Sequence, residues 1–356
     1  MVLEDLLTGI KNMQYDYILY VFSAQILIYF LIKKRLLKSI IKFKLVDSPG
    51  KNKIHKKKVP VTGGLIIFFS LILYIFCNYF FFYLKNNLID ERIILILFGT
   101  FFVFFFFFFL GIIDDIISIT PQKKIIIIIV FNILLFQNIE FFNTSVLIFN
   151  NFIISENVDL ISLSLIITIF GFLIYHYSLA IMDGIDGLFG SHIIVLLTLI
   201  LVYFDLDHNL KSLIIYLVLS LCFVTVLNLR SSLFLGNSGS LMLATIIPYI
   251  LIYLYNSREN SFSIFVYISL IIIPVLDMLR LFIVRILDRK SPFEKDLKHF
   301  HHLLIARYSL YTTLFFYLIL CFLPFIMINY FSFDPLITVA IQAIIFFRLC
   351  FNLNRK

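Results

Sequence analysis

Tryptophan is absent from this 356-residue chain, cysteine occurs four times, and only 14% of residues are charged. The four cysteines, Cys77, Cys222, Cys321 and Cys350, stand inside apolar stretches and form no C-x-x-C pair. Disulfide scaffolds and zinc ribbons are thereby excluded, and the cysteines read as small buried hydrophobes. The alternating polarity of a membrane β-barrel is missing. A basic leader is missing too: residues 1–15 carry Glu4 and Asp5, so no cleavable signal peptide is expected. There is no internal repeat and no linker.

Apolar residues fill the space left by these absences. They make up 62% of the sequence, and mean hydropathy is +1.04. That composition belongs to an all-α polytopic integral membrane protein. Eleven apolar spans are expected, at 16–32, 61–84, 92–113, 125–139, 160–181, 188–204, 210–227, 240–255, 262–287, 310–331 and 334–351. Several approach the ~20 residues that a helix needs to cross a bilayer. The run of six phenylalanines at 104–109 is expected to face lipid.

Charge orients the spans. With loops assigned alternately to two sides, one side holds five of the 29 basic residues, and the other holds 24. The richly basic side nets +15 and the other −7, matching the total of +8. The positive-inside rule makes the basic side cytoplasmic. An N-terminus outside and a C-terminus in the cytoplasm follow. Juxtamembrane Lys and Arg beside anionic lipid account for the basic excess, so no nucleic-acid partner is expected.

Five polar clusters then fall on the cytoplasmic face, in loops 33–60, 114–124, 182–187, 228–239 and 288–309. Carboxylates at membrane depth are costly, which makes them candidate functional groups. Asp114 and Asp115 are adjacent at a helix end, where paired carboxylates can hold a hard divalent cation together with substrate phosphates. Lys123 and Lys124 follow. Asp183 and Asp186 lie in MDGIDGL; if that segment is helical they share a face, and if not it is a tight Asp-Gly turn. Gly236, Ser238, Gly239 and Ser240 open an apolar helix, a setting that suits phosphate as well as ordinary capping. Asp277 and Arg280 are spaced to pair. Basic residues follow them, and then HFHH, with His299, His301 and His302. In the loop DSPGKNKIHKKKVPVTGG, the residues Asp47, Pro49, Lys53, His55, Pro60, Gly63 and Gly64 stand out.

Taken together the set resembles the polyprenyl-phosphate N-acetylhexosamine-1-phosphate transferases, the superfamily of MraY-like and WecA-like enzymes. The matching order is D-x-P…K-x-H…P-x-x-GG at 47–64, DD at 114–115, DGIDGL at 183–188, F-x-G-x-x-GS at 234–240, and P-x-x-D-x-x-R…SPF-x-x-D-x-x-H-x-HH at 274–302. It covers about residues 40–305 of a single transmembrane transferase domain, and the SPFEKDLKHFHH segment is more WecA-like.

The resemblance implies transfer of a sugar-1-phosphate from a UDP-sugar of the N-acetylhexosamine type to undecaprenyl phosphate. UMP is released at the cytoplasmic face of the bacterial inner membrane, as an initiating step of cell-envelope glycan synthesis. It implies Mg²⁺, with Mn²⁺ as a substitute, and a homodimer is compatible with it. It implies catalytic roles for Asp114, Asp115, Asp183 and Asp186. Lys53, His55, Lys124, Arg280, His299, His301 and His302 would bind substrate, and Asp114, Asp115 and Asn237 would hold the metal.

The sequence departs from the family pattern in three places. The family's N-x-x-N before DGIDGL is here Tyr177 and Ala180, its G-D-x-G-S has Asn237 in place of aspartate, and Ser118 replaces a Gly or Asp. Two readings stay open. One is an active transferase, favoured by the intact DD, DGIDG and HFHH. The other is a catalytically weakened paralogue that binds polyprenyl phosphate or a partner membrane enzyme, suggested by Ala180 and Asn237. A transporter would show inverted repeats and midplane charges, and neither is visible.

Overall fold

The structure, a computed structural model, describes residues 16–33, 45–47, 58–86, 91–138, 158–256, 262–294 and 296–354. These are overwhelmingly helical, as backbone in a water-free layer must satisfy its own hydrogen bonds. In chain order they form α1 (Asp16–Leu31), β1 (Val46–Asp47), β2 (Val59–Pro60), α2 (Gly63–Asn86), α3 (Glu91–Ile117), α4 (Pro121–Asn138), α5 (Val158–Ile181) and α6 (Leu188–Tyr203). After these come α7 (His208–Leu229), α8 (Gly236–Asn256), α9 (Ile264–Leu287), α10 (Phe300–Ile305), α11 (Leu310–Phe331) and α12 (Pro335–Asn354). Among the described residues, four helices are long and apolar enough to cross a membrane: α7, α8, α11 and α12. Shorter apolar helices cover parts of α1, α2, α5 and α6. The protein is therefore a helical, membrane-integral chain.

The chain divides into two compact units. The first comprises residues 1–118 and 206–242, the second 119–205 and 243–356.

In the first unit, α1 packs on α2, α7 packs on both, and α2 meets α3. Buried polar pairs tie these apolar helices together, as interhelical hydrogen bonds do where no hydrophobic contrast drives packing. Gln25 Nε2 donates to Ser220 Oγ at 2.7 Å, and the Ser70 and Tyr216 hydroxyls meet at 2.6 Å. The Tyr74 and Ser212 hydroxyls meet at 2.7 Å.

The six-phenylalanine run does not face lipid throughout. Phe104, Phe107 and Phe108 are buried while Phe105 and Phe109 are exposed, because helical spacing of three and four residues gathers one stripe inward. Phe108 stacks on Phe68 of α2 with ring centroids 3.7 Å apart. Cys222 departs from expectation as well. It is exposed on α7, and Cys77 is only partly covered; a small hydrophobe on a face that borders lipid needs no protein over it.

In the second unit α9 is central, packed by α5, α11 and α12, while α6 lies on α11 and α4 on α5. Gln342 of α12 donates to the carbonyls of Ser269 at 3.2 Å, Leu320 at 3.0 Å and Cys321 at 3.2 Å, joining three helices at one side chain. Tyr249 donates to Asn132 Oδ1 at 2.7 Å. Helix starts follow local chemistry: the side chains of Ser263 and Ser309 cap α9 and α11, and Pro121 and Pro335 occupy first-turn positions that need no donor.

Candidate active site

Two polar constellations emerge, one in each unit. The first is built where three chain segments converge in the first unit. β1 and β2 pair antiparallel, with Val46 opposite Pro60 and Asp47 opposite Val59. Val61 then bridges in parallel to Phe234. The amides of Gly63 and Gly64 donate to the carbonyls of Phe234 and Leu235, each at 2.9 Å. The starts of α2 and α8 are thereby zipped together. A Cβ on Gly64 would lie 2.3 Å from the Gly239 nitrogen, so only glycine permits this approach.

α3 joins the same point. Gly111 lies against the α8 start, where a Cβ would come within 2.3 Å of the Asn237 carbonyl oxygen. One turn later, the Asp115 carboxylate accepts from the Asn237 amide at 3.0 Å and the Ser238 amide at 3.2 Å. An α-helix start leaves its first amides without internal partners, and a carboxylate there also complements the helix dipole. Gly236, just before, has φ +76°, and a Cβ there would meet Val61 Cγ1 at 2.2 Å and Asp115 Oδ2 at 3.0 Å. Asp114 is buried.

Two expectations change here. Asp114 and Asp115 belong to the last turn of α3 rather than to a loop, because the helix continues past its apolar run. In addition, two of the α8 amides read as suited to phosphate are taken by Asp115. Ser118, the departure after DD, has φ +57°, a left-handed helix end that ordinarily favours glycine.

The residues fit a hard cation. Among the described residues no group of three His, Cys, Asp or Glu is placed to hold a metal ion, but Mg²⁺ typically takes only one or two carboxylates and completes its shell with phosphate and water. Asp114 and Asp115 would supply the carboxylates. Each Asp115 oxygen accepts one backbone amide, and a carboxylate oxygen can accept more than one bond.

The second constellation sits in the second unit. The DGIDG segment is not helical: residues 182–187 form a turn between α5 and α6, with Asp183 exposed and Asp186 half-buried. The shared-face condition for that pair is therefore not met. A Cβ on Gly184 would lie 3.2 Å from His302 Nε2 and 3.3 Å from His301 Nε2, so the turn rests against the histidines of α10.

Those histidines are held from α9. Asp277 Oδ2 lies 3.0 Å from His299 Nδ1. Its two oxygens also accept the Phe300 amide at 3.0 and 3.1 Å, and Oδ1 accepts from Arg280 Nη2 at 2.8 Å. The expected pairing of Asp277 with Arg280 is thus observed. Arg280 Nη2 also donates to the Lys298 carbonyl at 2.8 Å.

Next along the helix, Arg285 donates from Nε to Asp296 Oδ2 at 3.0 Å and from Nη1 to the Pro292 carbonyl at 2.7 Å. Arg285 is buried, a structural staple rather than part of a free basic surface. Burial alone would raise the Asp296 carboxyl, but the Arg285 hydrogen bond and charge and the Lys298 amide outweigh it and hold the group below the usual carboxylate range.

His301 is 1% exposed, and burial, reinforced by neighbouring His302, pushes its pKa down to about 3. It is uncharged at neutral pH. His302 is the most exposed of the three; its pKa is lowered mainly by burial, then by His299.

Lys124 is half-buried in the first turn of α4. Lys53 and His55 lie outside the described residues. Sequence reasoning did not single out the part played by Asp277 in holding His299 and Phe300, or the pairing of Arg285 with Asp296. Both aspartates lie in the quoted motifs, but nothing local in the sequence assigns their partners.

Residues 94–255 match the model of the family described as Glycosyl transferase family 4. The undecaprenyl-phosphate alpha-N-acetylglucosaminyl 1-phosphate transferases of Escherichia coli (strain K12) and of Shigella flexneri are each 28% identical to this chain over 130 residues. The match covers 35% of this chain and 35% of each relative, so it spans about a third of their length.

Proposed function

We propose, from the premise that this chain is a WecA-like relative of the polyprenyl-phosphate N-acetylhexosamine-1-phosphate transferases, that it transfers a sugar-1-phosphate from a UDP-N-acetylhexosamine to undecaprenyl phosphate and releases UMP. The reaction would initiate a cell-envelope glycan at the cytoplasmic face of the bacterial inner membrane. The observation that carries the reading is the junction of Asp115 with Asn237 and Ser238: two of the quoted motifs, 122 residues apart, meet through one carboxylate.

The residues divide the work. Asp114 and Asp115 would hold Mg²⁺ or Mn²⁺, with the Asn237 side-chain amide oxygen as a further ligand. The ion supplies charge neutralisation at the transferred phosphate. Asp183 and Asp186, in the turn that rests on α10, would orient the nucleotide or the acceptor phosphate. His302, Arg280 and Lys124 would face the donor pyrophosphate. His299 would do so through Nε2, and His301 would support them as a neutral, buried ring. Lys53 and His55 are proposed to contact substrate as well. Little covalent chemistry is asked of the protein in phosphoryl transfer; positioning and charge stabilisation carry it.

The test is UMP release from UDP-N-acetylglucosamine, UDP-N-acetylgalactosamine and related donors, with undecaprenyl phosphate and Mg²⁺, using purified protein. Release that depends on the acceptor lipid and on the ion is expected. No release with any donor removes this reading in favour of the binding-only paralogue, whose supporting observation is Ala180 and Asn237 in place of the family's Asn and Asp.

A further inference from the structure

We infer that Asp277 is the positioning residue of the histidine segment: it sets the ring orientation and tautomer of His299 and fixes the start of α10. The functional half of this inference rests on the reading given above.

α10 has only six residues, too few to be stable on local propensity. Its N-cap, His299, makes no side-chain cap. The acceptor that a helix start needs comes instead from α9, 23 residues earlier, where Asp277 takes the Phe300 amide on both oxygens. Phe300 itself is buried, packing on Tyr317 of α11 and Phe346 of α12 with centroids 5.9 and 5.3 Å away. One amide and one ring therefore pin the segment at a single residue.

The same carboxylate orients the neighbouring imidazole. Asp277 Oδ2 sits 3.0 Å from His299 Nδ1. A carboxylate can only accept, so the proton resides on Nδ1 and Nε2 is left for a ligand. Carboxylate partners set histidine tautomers in this way in catalytic and metal sites.

Asp277 is 4% exposed, and a buried carboxylate is tolerated only when its hydrogen-bonding capacity is filled. His299, Phe300 and Arg280 fill it. It is therefore an anchor and not a metal ligand.

The test is a double-mutant cycle. Asp277→Asn keeps the shape but leaves one acceptor oxygen for His299 Nδ1, the Phe300 amide and Arg280, and sets an NH₂ against a donor. Asp277→Asn and His299→Ala are each expected to lower kcat/KM for the donor by about 10- to 100-fold, the range for partners that orient a functional histidine. The double variant should be no worse than His299→Ala alone, because both changes remove one device. Full activity in Asp277→Asn, or losses that multiply, overturns the inference.

Amide hydrogen exchange of the peptide holding Phe300 provides a readout independent of turnover. Exchange should accelerate in Asp277→Ala, or in Asp277→Asn where the alanine variant does not fold, with α11 protection kept. Unchanged protection overturns the anchoring role. A wild-type protein that releases no UMP counts against the transferase reading, while the exchange result still decides the anchor.

Discussion

Asn237 and Asp115 show how one side chain couples fold to chemistry. The Asn237 backbone amide donates to Asp115, and its side-chain amide also faces that carboxylate. Asn237→Asp would set a third carboxylate beside Asp114 and Asp115. Without a divalent ion, like charges at close range oppose one another, so the variant should unfold at a lower temperature than the wild type. With Mg²⁺ the added ligand charge should reverse this, because a ligand that binds only the folded state stabilises it by mass action. Thermal unfolding across a Mg²⁺ titration checks it. The expected outcome is a larger Mg²⁺-dependent rise in Tm for Asn237→Asp, together with a lower Mg²⁺ requirement for turnover. Equal Mg²⁺ responses in the two proteins would count against Asn237 as a weakened ligand. At this scale the sequence showed which residue types were present and that position 237 was unusual. It did not reveal that Asp115 caps a helix, since nothing within ten residues of Asp115 indicates a partner 122 positions away.

At the scale of elements, the starts of α2 and α8 approach more closely than side chains allow. Gly64 abuts the Gly239 backbone nitrogen, 2.3 Å from where its Cβ would be, and backbone cannot swing aside as a side chain can. Gly64→Ala should cost about 1–3 kcal/mol through overpacking, seen as a lowered Tm, whereas Gly171→Ala should not, as nothing lies within 4 Å of a Cβ there. Equal Tm losses in the two variants would show that the approach is not tight.

Helix positions were largely legible, because an apolar run bounded by polar residues is a local signal. The span expected at 310–331 coincides with α11, and that at 188–204 is close to α6. The errors share a cause. α8 begins at Gly236 rather than 240, α4 at Pro121 rather than 125, and α3 runs to Ile117 rather than 113. In each case a polar turn continues the helix beyond the apolar stretch. For α8, the Asp115 cap from outside the segment stabilises the start.

For the whole molecule, the sequence carries a strong topological statement through its charge. A basic side of +15 and an opposite side of −7 follow from the eleven-span alternation, and Lys and Arg resist transfer across the membrane. A green fluorescent protein fused after Lys356 should therefore fluoresce, and an alkaline phosphatase fused there should be inactive. The opposite pattern would show a miscounted span. The division into two compact units was not visible in the sequence. Each unit is assembled from two separated stretches of chain, and no change of composition marks where the chain passes from one to the other.

The sequence by itself determined that the protein is a predominantly helical membrane protein, where most apolar stretches lie, and the order of the polar motifs that resemble those of the sugar-phosphate transferases. The first two follow from composition and short-range periodicity, and the resemblance from short residue strings, all of which each segment carries within itself. The tertiary structure decided what the aspartates do. Asp115 holds the start of α8, the Asp183 turn leans on His301 and His302, and Asp277 anchors His299 and Phe300. Carboxylates find donors wherever folding brings them; apart from Arg280, three residues from Asp277, the donors named here lie 22 to 123 residues away, beyond the reach of any local pattern.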